Sequence, residues 1–172
     1  SLSDIAPATN QHVQLLRHYG FVTYTKKKQL LDIHSVSVLI EDSLKPVQSG
    51  ENPNLYVIHD EDILRIVNEL RAGGAEAIAI NDQRLIGTSE IRCSGPTITV
   101  NGKVFGAPFT VKAIGDPKTL NSALTMRGGV VDSLKHWGIK VTIKQEEDVA
   151  IPAFTGTFRE EHMKPNELGG KE

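Results

Sequence analysis

The chain has 172 residues, 39% of them hydrophobic and 23% charged, with 19 Lys and Arg against 21 Asp and Glu. That is enough for one domain with tails, and it excludes a disordered chain or a coiled-coil rod throughout. A formal net charge of −2 gives no electrostatic basis for nucleic-acid binding, which needs several converging cations.

The basic run Lys26-Lys27-Lys28 is short and reads as a solvated face. One cysteine, Cys93, excludes an internal disulfide and a cysteine-based zinc site. Alternation along Glu90-Ile91-Arg92-Cys93 turns Cys93 inward beside Ile91, as a small buried residue. No stretch approaches the roughly 18 apolar residues of a membrane span, and no signal peptide is apparent. Any membrane attachment is expected through an anchor outside this chain.

Residues 1–35 read as a helical and extended arm. A short helix runs from Gln11 to Tyr19, and the β-branched, aromatic stretch Phe21-Val22-Thr23-Tyr24-Thr25 suits a strand. A single domain is expected over 36–158. Val36 to Ile40 alternates as a strand, and a polar loop from Glu41 to Pro53 follows. Leu55-Tyr56-Val57-Ile58 is apolar on both faces, the pattern of a doubly covered strand. Asp60 is then expected to cap a helix whose stripe is Ile63, Ile66, Val67 and Leu70, ended by Gly73-Gly74. Ala75 to Ile80 forms the next strand, completing a βαβ unit.

Asn101-Gly102, flanked by Thr97 to Val100 and Lys103 to Phe105, predicts a tight hairpin. Phe109 to Ile114 is a further strand. Asp116-Pro117 opens a helix that loosens at Gly128-Gly129 and resumes to Gly138. Ile139 to Lys144 is a half-buried strand, Pro152 to Phe158 packs on the core, and 159–172 is a charged, flexible tail. The fold class is α+β: a mostly antiparallel sheet with at least one parallel pair and two helices on one face. It is a ferredoxin-like relative containing a βαβ unit.

No catalytic constellation emerges, and no metal or cofactor is expected. His59-Asp60 evokes a metal-dependent phosphohydrolase, but the other histidines lack ligand spacing and helix capping explains the dyad. The paired glycines fit no phosphate-loop pattern. Asn81-Asp82 reads as a turn whose side chains bond neighbouring backbone. Binding is assigned to Gln83, Arg84, Arg92 and Asn101. The two arginines offer forked donors for a carboxylate or phosphate at a sheet edge, where α/β folds present ligands.

The assembled blocks resemble a known bacterial family. Leu55 to Asp62 matches its LxVHDEDL start, Gly73 to Leu85 its AGAEAIsINgQRL block, and Ile91 to Gly102 its aIRCvGntIlVNG block. Ala113 to Pro117 and Gly128 to Val131 follow at compatible spacing, so the resemblance covers about Val36 to Ile151. This is similar to the YlxW/YlxX-type family, a domain of unknown function sometimes labelled "division initiation protein". Where that family has a Gly-Pro-Gly-like turn, this chain has Asp32-Ile33-His34-Ser35. The resemblance implies an N-terminal transmembrane helix and a coiled coil in the parent protein, with this domain on the outer side of the cytoplasmic membrane. It also implies a role near cell division or sporulation. The expected function is a non-catalytic interaction domain with a protein partner in the envelope or divisome, possible self-association, and no nucleic acid. A sensor for a small anionic ligand is the alternative.

Overall fold

The computed structural model describes residues 34–146 and 149–156. Its first strand, β1 (Ser35–Glu41), alternates as expected: Val36, Val38 and Ile40 are fully buried, while Ser37, Leu39 and Glu41 face the other way, half-exposed.

Leu55 to Ile58 is not a strand. Asn52 caps a short 3-10 helix, Pro53–Tyr56, accepting the Asn54 N–H at 3.0 Å. The backbone then bonds to the loop after β1 instead of to a ladder: Ile58 N–H to Asp42 Oδ1 at 2.9 Å, and Ser43 N–H to the Tyr56 carbonyl at 2.9 Å. Tyr56 and Ile58 are buried, but Leu55 and Val57 are 37% and 39% exposed. An apolar run of four does not distinguish a strand from this arrangement, and Pro53 lacks the N–H that a ladder needs.

Helix α1 (Asp60–Ala72) buries Ile63, Ile66, Val67 and Leu70. Those four side chains contribute roughly 1.5–3 kcal/mol each, well above the approximately 1 kcal/mol of a cap. The cap residue is His59, not Asp60: the His59 N–H donates to Asp62 Oδ2 at 3.0 Å, and Asp60 is the first helical residue. At the other end the Ala75 N–H reaches the Leu70 carbonyl at 2.9 Å and the Gly74 N–H the Arg71 carbonyl at 3.0 Å. This closure requires the left-handed φ of +84° at Gly74.

Strands β2 (Ala77–Ile80) and β3 (Gln83–Arg84) form a hairpin through Asn81 and Asp82, both at positive φ. A small three-stranded sheet follows: β4 (Ile91–Ser94), β5 (Thr97–Val100) and β6 (Lys103–Phe105), with the expected tight turn at Asn101-Gly102. Then come β7 (Phe109–Ile114), α2 (Pro117–Leu124), α3 (Val130–His136) and β8 (Lys140–Glu146). Asp116 caps α2 as predicted, accepting the Thr119 N–H at 2.8 Å. Gly128, at φ +75°, separates α2 from α3, so among the described residues three α-helices stand where two were expected on the sheet.

The main sheet has the order β3-β2-β7-β1-β8, and each adjacent pair is antiparallel. The expected parallel pair is absent among the described residues. β1 and β2 run in the same direction, but β7 lies between them. The unit is thus a split βαβ, and β8-β1-β7-β2 with its helices is the ferredoxin-like arrangement, with β3 and the small sheet inserted before β7. Helices α2 and α3 both contact α1, which packs them over the inner face with Ile78, Ile80, Val111 and Ala113. A second, smaller core lies on the outer face. There Val149 and Ile151 cover Ala77, Ala79 and Ile114, so β2 is buried on both sides. The predicted strand at Phe21 to Thr25, most of the 1–35 arm and the 159–172 tail lie outside the described residues.

Candidate functional site

The chain segment that covers β2 continues over the outer face and builds a groove. Pro152 to Gly156 forms one wall, β3 with Asp82 the floor, and Thr88, Glu90 and Asn101-Gly102-Lys103 the opposite wall, enclosing about 660 Å³. Three of the four predicted binding residues meet here: Gln83, Arg84 and Asn101. Cross-strand register explains why. Arg84 lies opposite Ala79, and Ala79 opposite Lys112, which places Arg84 on the outer face beneath the covering segment. Arg84 is only 6% exposed.

Asn101 links the two sheets. Its Nδ2 donates to the Arg84 carbonyl at 2.9 Å while its backbone holds the left-handed φ of 50° that the turn requires. Asn81 and Asp82 form the expected turn, but their side chains reach across to β7 instead of bonding neighbouring backbone. Asn81 Oδ1 accepts the Thr110 N–H at 2.7 Å, and Asp82 Oδ1 pairs with Lys112 Nζ at 2.8 Å. The groove's charged lining is balanced: Arg84 and Lys103 against Asp82 and Glu90. Lys103, Glu90 and the Pro152–Gly156 wall were not singled out from sequence, because their convergence depends on tertiary packing. The only advance signal was the expectation that the Pro152 region packs on the core.

Arg92 does not join this site. It is exposed, opposite Thr99, which lies opposite Val104, on the solvent face of the small sheet. Cys93 is turned toward Ile98 and the α1 end as alternation requires, yet it is exposed, not buried. Strand β4 ends at the rim, where the start of α1 meets it. There Asp60 Oδ2 accepts the Cys93 N–H at 2.8 Å, the Asp60 N–H donates to Cys93 Sγ at 3.2 Å, and His59 Nδ1 lies 3.8 Å from that sulfur. The Cys93 N–H holds the Asp60 carboxyl below its ordinary value. Desolvation, joined by the Asp60 charge, pushes the Cys93 thiol up, the opposite of an activated nucleophile. Burial likewise raises Asp62. Among the described residues no group of His, Cys, Asp and Glu is arranged to hold a metal ion.

The molecule is therefore an α+β, ferredoxin-like domain with a polar groove at the β3 edge of its sheet. Residues 34–164 match the family described as "Bacterial protein of unknown function (DUF881)", and the chain belongs to that family. It is 45% identical over 122 residues to the UPF0749 protein YlxW of Bacillus subtilis, covering 71% of this chain and 52% of that protein. The UPF0749 protein Rv1825 of Mycobacterium tuberculosis is 34% identical over 110 residues, 61% of this chain and 37% of that protein. The chain thus spans about half or less of the length of these relatives. The crystal structure of an uncharacterized conserved protein from Mycobacterium tuberculosis superposes with a TM-score of 0.69 at 28% identity, covering 91% of this chain and 99% of the other.

Proposed function

We propose that this is a non-catalytic interaction domain that takes a protein partner in the groove at β3. In its membrane-anchored parent protein the domain faces the cell envelope and assists cell division or sporulation. What supports the binding reading is the groove itself: three segments distant in the chain converge on about 660 Å³ with a charge-balanced, polar lining. Balanced charge suits a polar peptide surface better than a strongly anionic ligand, which would be met by an excess of cations. The covering segment is fixed by its own apolar contacts, so the groove is preformed and little ordering cost falls on binding.

Live-cell fluorescence of the full-length parent protein, tagged outside this domain, tests the cellular part. Enrichment at division sites is the expected result, and uniform signal contradicts the division reading. One observation favours a second reading, a small-ligand sensor: Arg84 is among the residues lining a cavity of ligand size. A ligand at 100 times its dissociation constant adds about 2.7 kcal/mol of stability. A thermal-shift screen of nucleotides, sugar phosphates and muropeptides therefore separates the two readings, and the interaction reading expects no response.

A further inference from the structure

The opposite edge of the main sheet carries a pattern of its own. Among the described residues no strand lies beyond β8, which pairs only with β1 over seven residues. The ladder geometry says which backbone groups face outward. The Gly115 N–H donates to the His34 carbonyl at 3.0 Å, directly across the β1–β7 ladder. Alternation then points the backbone groups of Val36, Val38 and Ile40 at β7, and those of Ser35, Ser37, Leu39 and Glu41 at β8. On β8, Lys140, Thr142, Lys144 and Glu146 therefore bond to β1. Val141, Ile143 and Gln145 present their N–H and C=O groups to the open edge. The side chains of Val141 and Ile143 are half-buried, continuing the helix-side core to the rim.

We propose that β8 pairs antiparallel with β8 of a second copy of this chain, about a two-fold axis at Ile143. In that register the outward-facing residues meet one another: Ile143 opposite Ile143, and Val141 opposite Gln145 of the second copy. On the outer face Lys140 falls opposite Glu146 of the second copy, twice by symmetry, and Thr142 opposite Lys144. The two neighbouring registers that keep the hydrogen bonding both set lysine against lysine. A slip by one step of the ladder in one direction places Lys140 opposite Lys144, and a slip in the other places Lys144 opposite itself. The sequence Lys140-Val141-Thr142-Ile143-Lys144-Gln145-Glu146 is thus complementary to itself in one register. Edge lysines ordinarily repel a neighbouring strand. Here each outer lysine has a compatible partner, and Lys140 already lies 2.7 Å from Glu41 Oε2, so the second carboxylate enters beside a cation. The paired sheet has ten strands, five from each copy. It sets the two β3 grooves at opposite ends, roughly 40 Å apart at the usual strand spacing, which makes the dimer bivalent for its partner.

Sedimentation equilibrium of the intact chain, combined with amide hydrogen exchange, tests this. A monomer–dimer equilibrium is expected, with the Val141, Ile143 and Gln145 amides exchanging about tenfold or more slowly above the dissociation constant than below it. Lys140→Glu alone and Glu146→Lys alone should each weaken the dimer by about tenfold, and the double exchange should restore it. These sites are solvent-accessible, and unchanged thermal melting of the dilute protein verifies that the variants fold. A monomer at all concentrations overturns the proposal, as does a dimer indifferent to the single charge reversals. Protection of the three amides that does not depend on concentration also overturns it, because the edge would then be held by the chain's own remaining residues.

Discussion

Asp60 and Asp62 sit two residues apart at the start of α1, and their surroundings push them in opposite directions. The Cys93 N–H lowers Asp60, and burial raises Asp62. A carboxyl lowered by folding stabilises the native state above the ordinary carboxylate range, and loses that contribution as pH falls through its folded value. A raised one disfavours the native state as pH climbs through the interval between the ordinary and raised values. Asp60→Asn should therefore cost stability most at neutral pH, with the deficit shrinking as pH falls below the ordinary carboxylate range. Denaturant titrations across pH check this, and a deficit independent of pH contradicts it. Residue roles set by neighbouring backbone were legible: the Asn101-Gly102 turn, the Asn81-Asp82 turn and the Asp116 cap follow from local chemistry, whereas the bonds of Asn81 and Asp82 to Thr110 and Lys112 depend on the pairing of β2 with β7. The split between Arg84 and Arg92 was not legible, since it depends on which face of which sheet each strand presents. His59 displaced Asp60 as the cap because the helix starts one residue earlier than the acidic run implied, taking Asp60 into its first turn. Cys93 faces inward as its strand alternation predicts, but where β4 ends decides its exposure.

The clearest element-level dependence is that of β2 on the segment covering it. β2 is apolar throughout, and a four-residue all-apolar strand is stable only with both faces covered. The helices cover one face, and Val149 and Ile151 the other. Ile151 is 2% exposed, so Ile151→Ala should cost about 2 kcal/mol, the lower end for a buried isoleucine because the site lies near the surface. It should also loosen the Pro152–Gly156 wall of the groove. A lower denaturant midpoint with unchanged slope is the expected reading, and an unchanged midpoint contradicts this packing. The helices were readable because the 3.6-residue period of Ile63, Ile66, Val67 and Leu70 has no competing interpretation. Leu55 to Ile58 was misread because a short apolar run carries no period, and its hydrogen bonds go to a loop far earlier in the chain.

At the scale of the molecule, the sequence order of elements already contained the α+β, ferredoxin-like outline. The insertion of β7 between β1 and β2 was hidden, because register across a sheet depends on contacts between distant strands. The groove stayed hidden for the same reason: β3, the β5–β6 turn and the Pro152 segment are separated in sequence and joined only by packing. Its place at the β3 end of the sheet, with β8 at the other, leaves the partner site and the proposed self-pairing edge independent of each other. The central claim is that the groove holds a protein partner, and in-cell photo-crosslinking from single positions tests it most directly. A photoreactive residue at Gln83 should give a discrete crosslinked species that Lys103→Glu diminishes, while the same group at Arg65, on the solvent face of α1, should not. Equal products from both positions, or none from Gln83, would contradict the groove as the binding site.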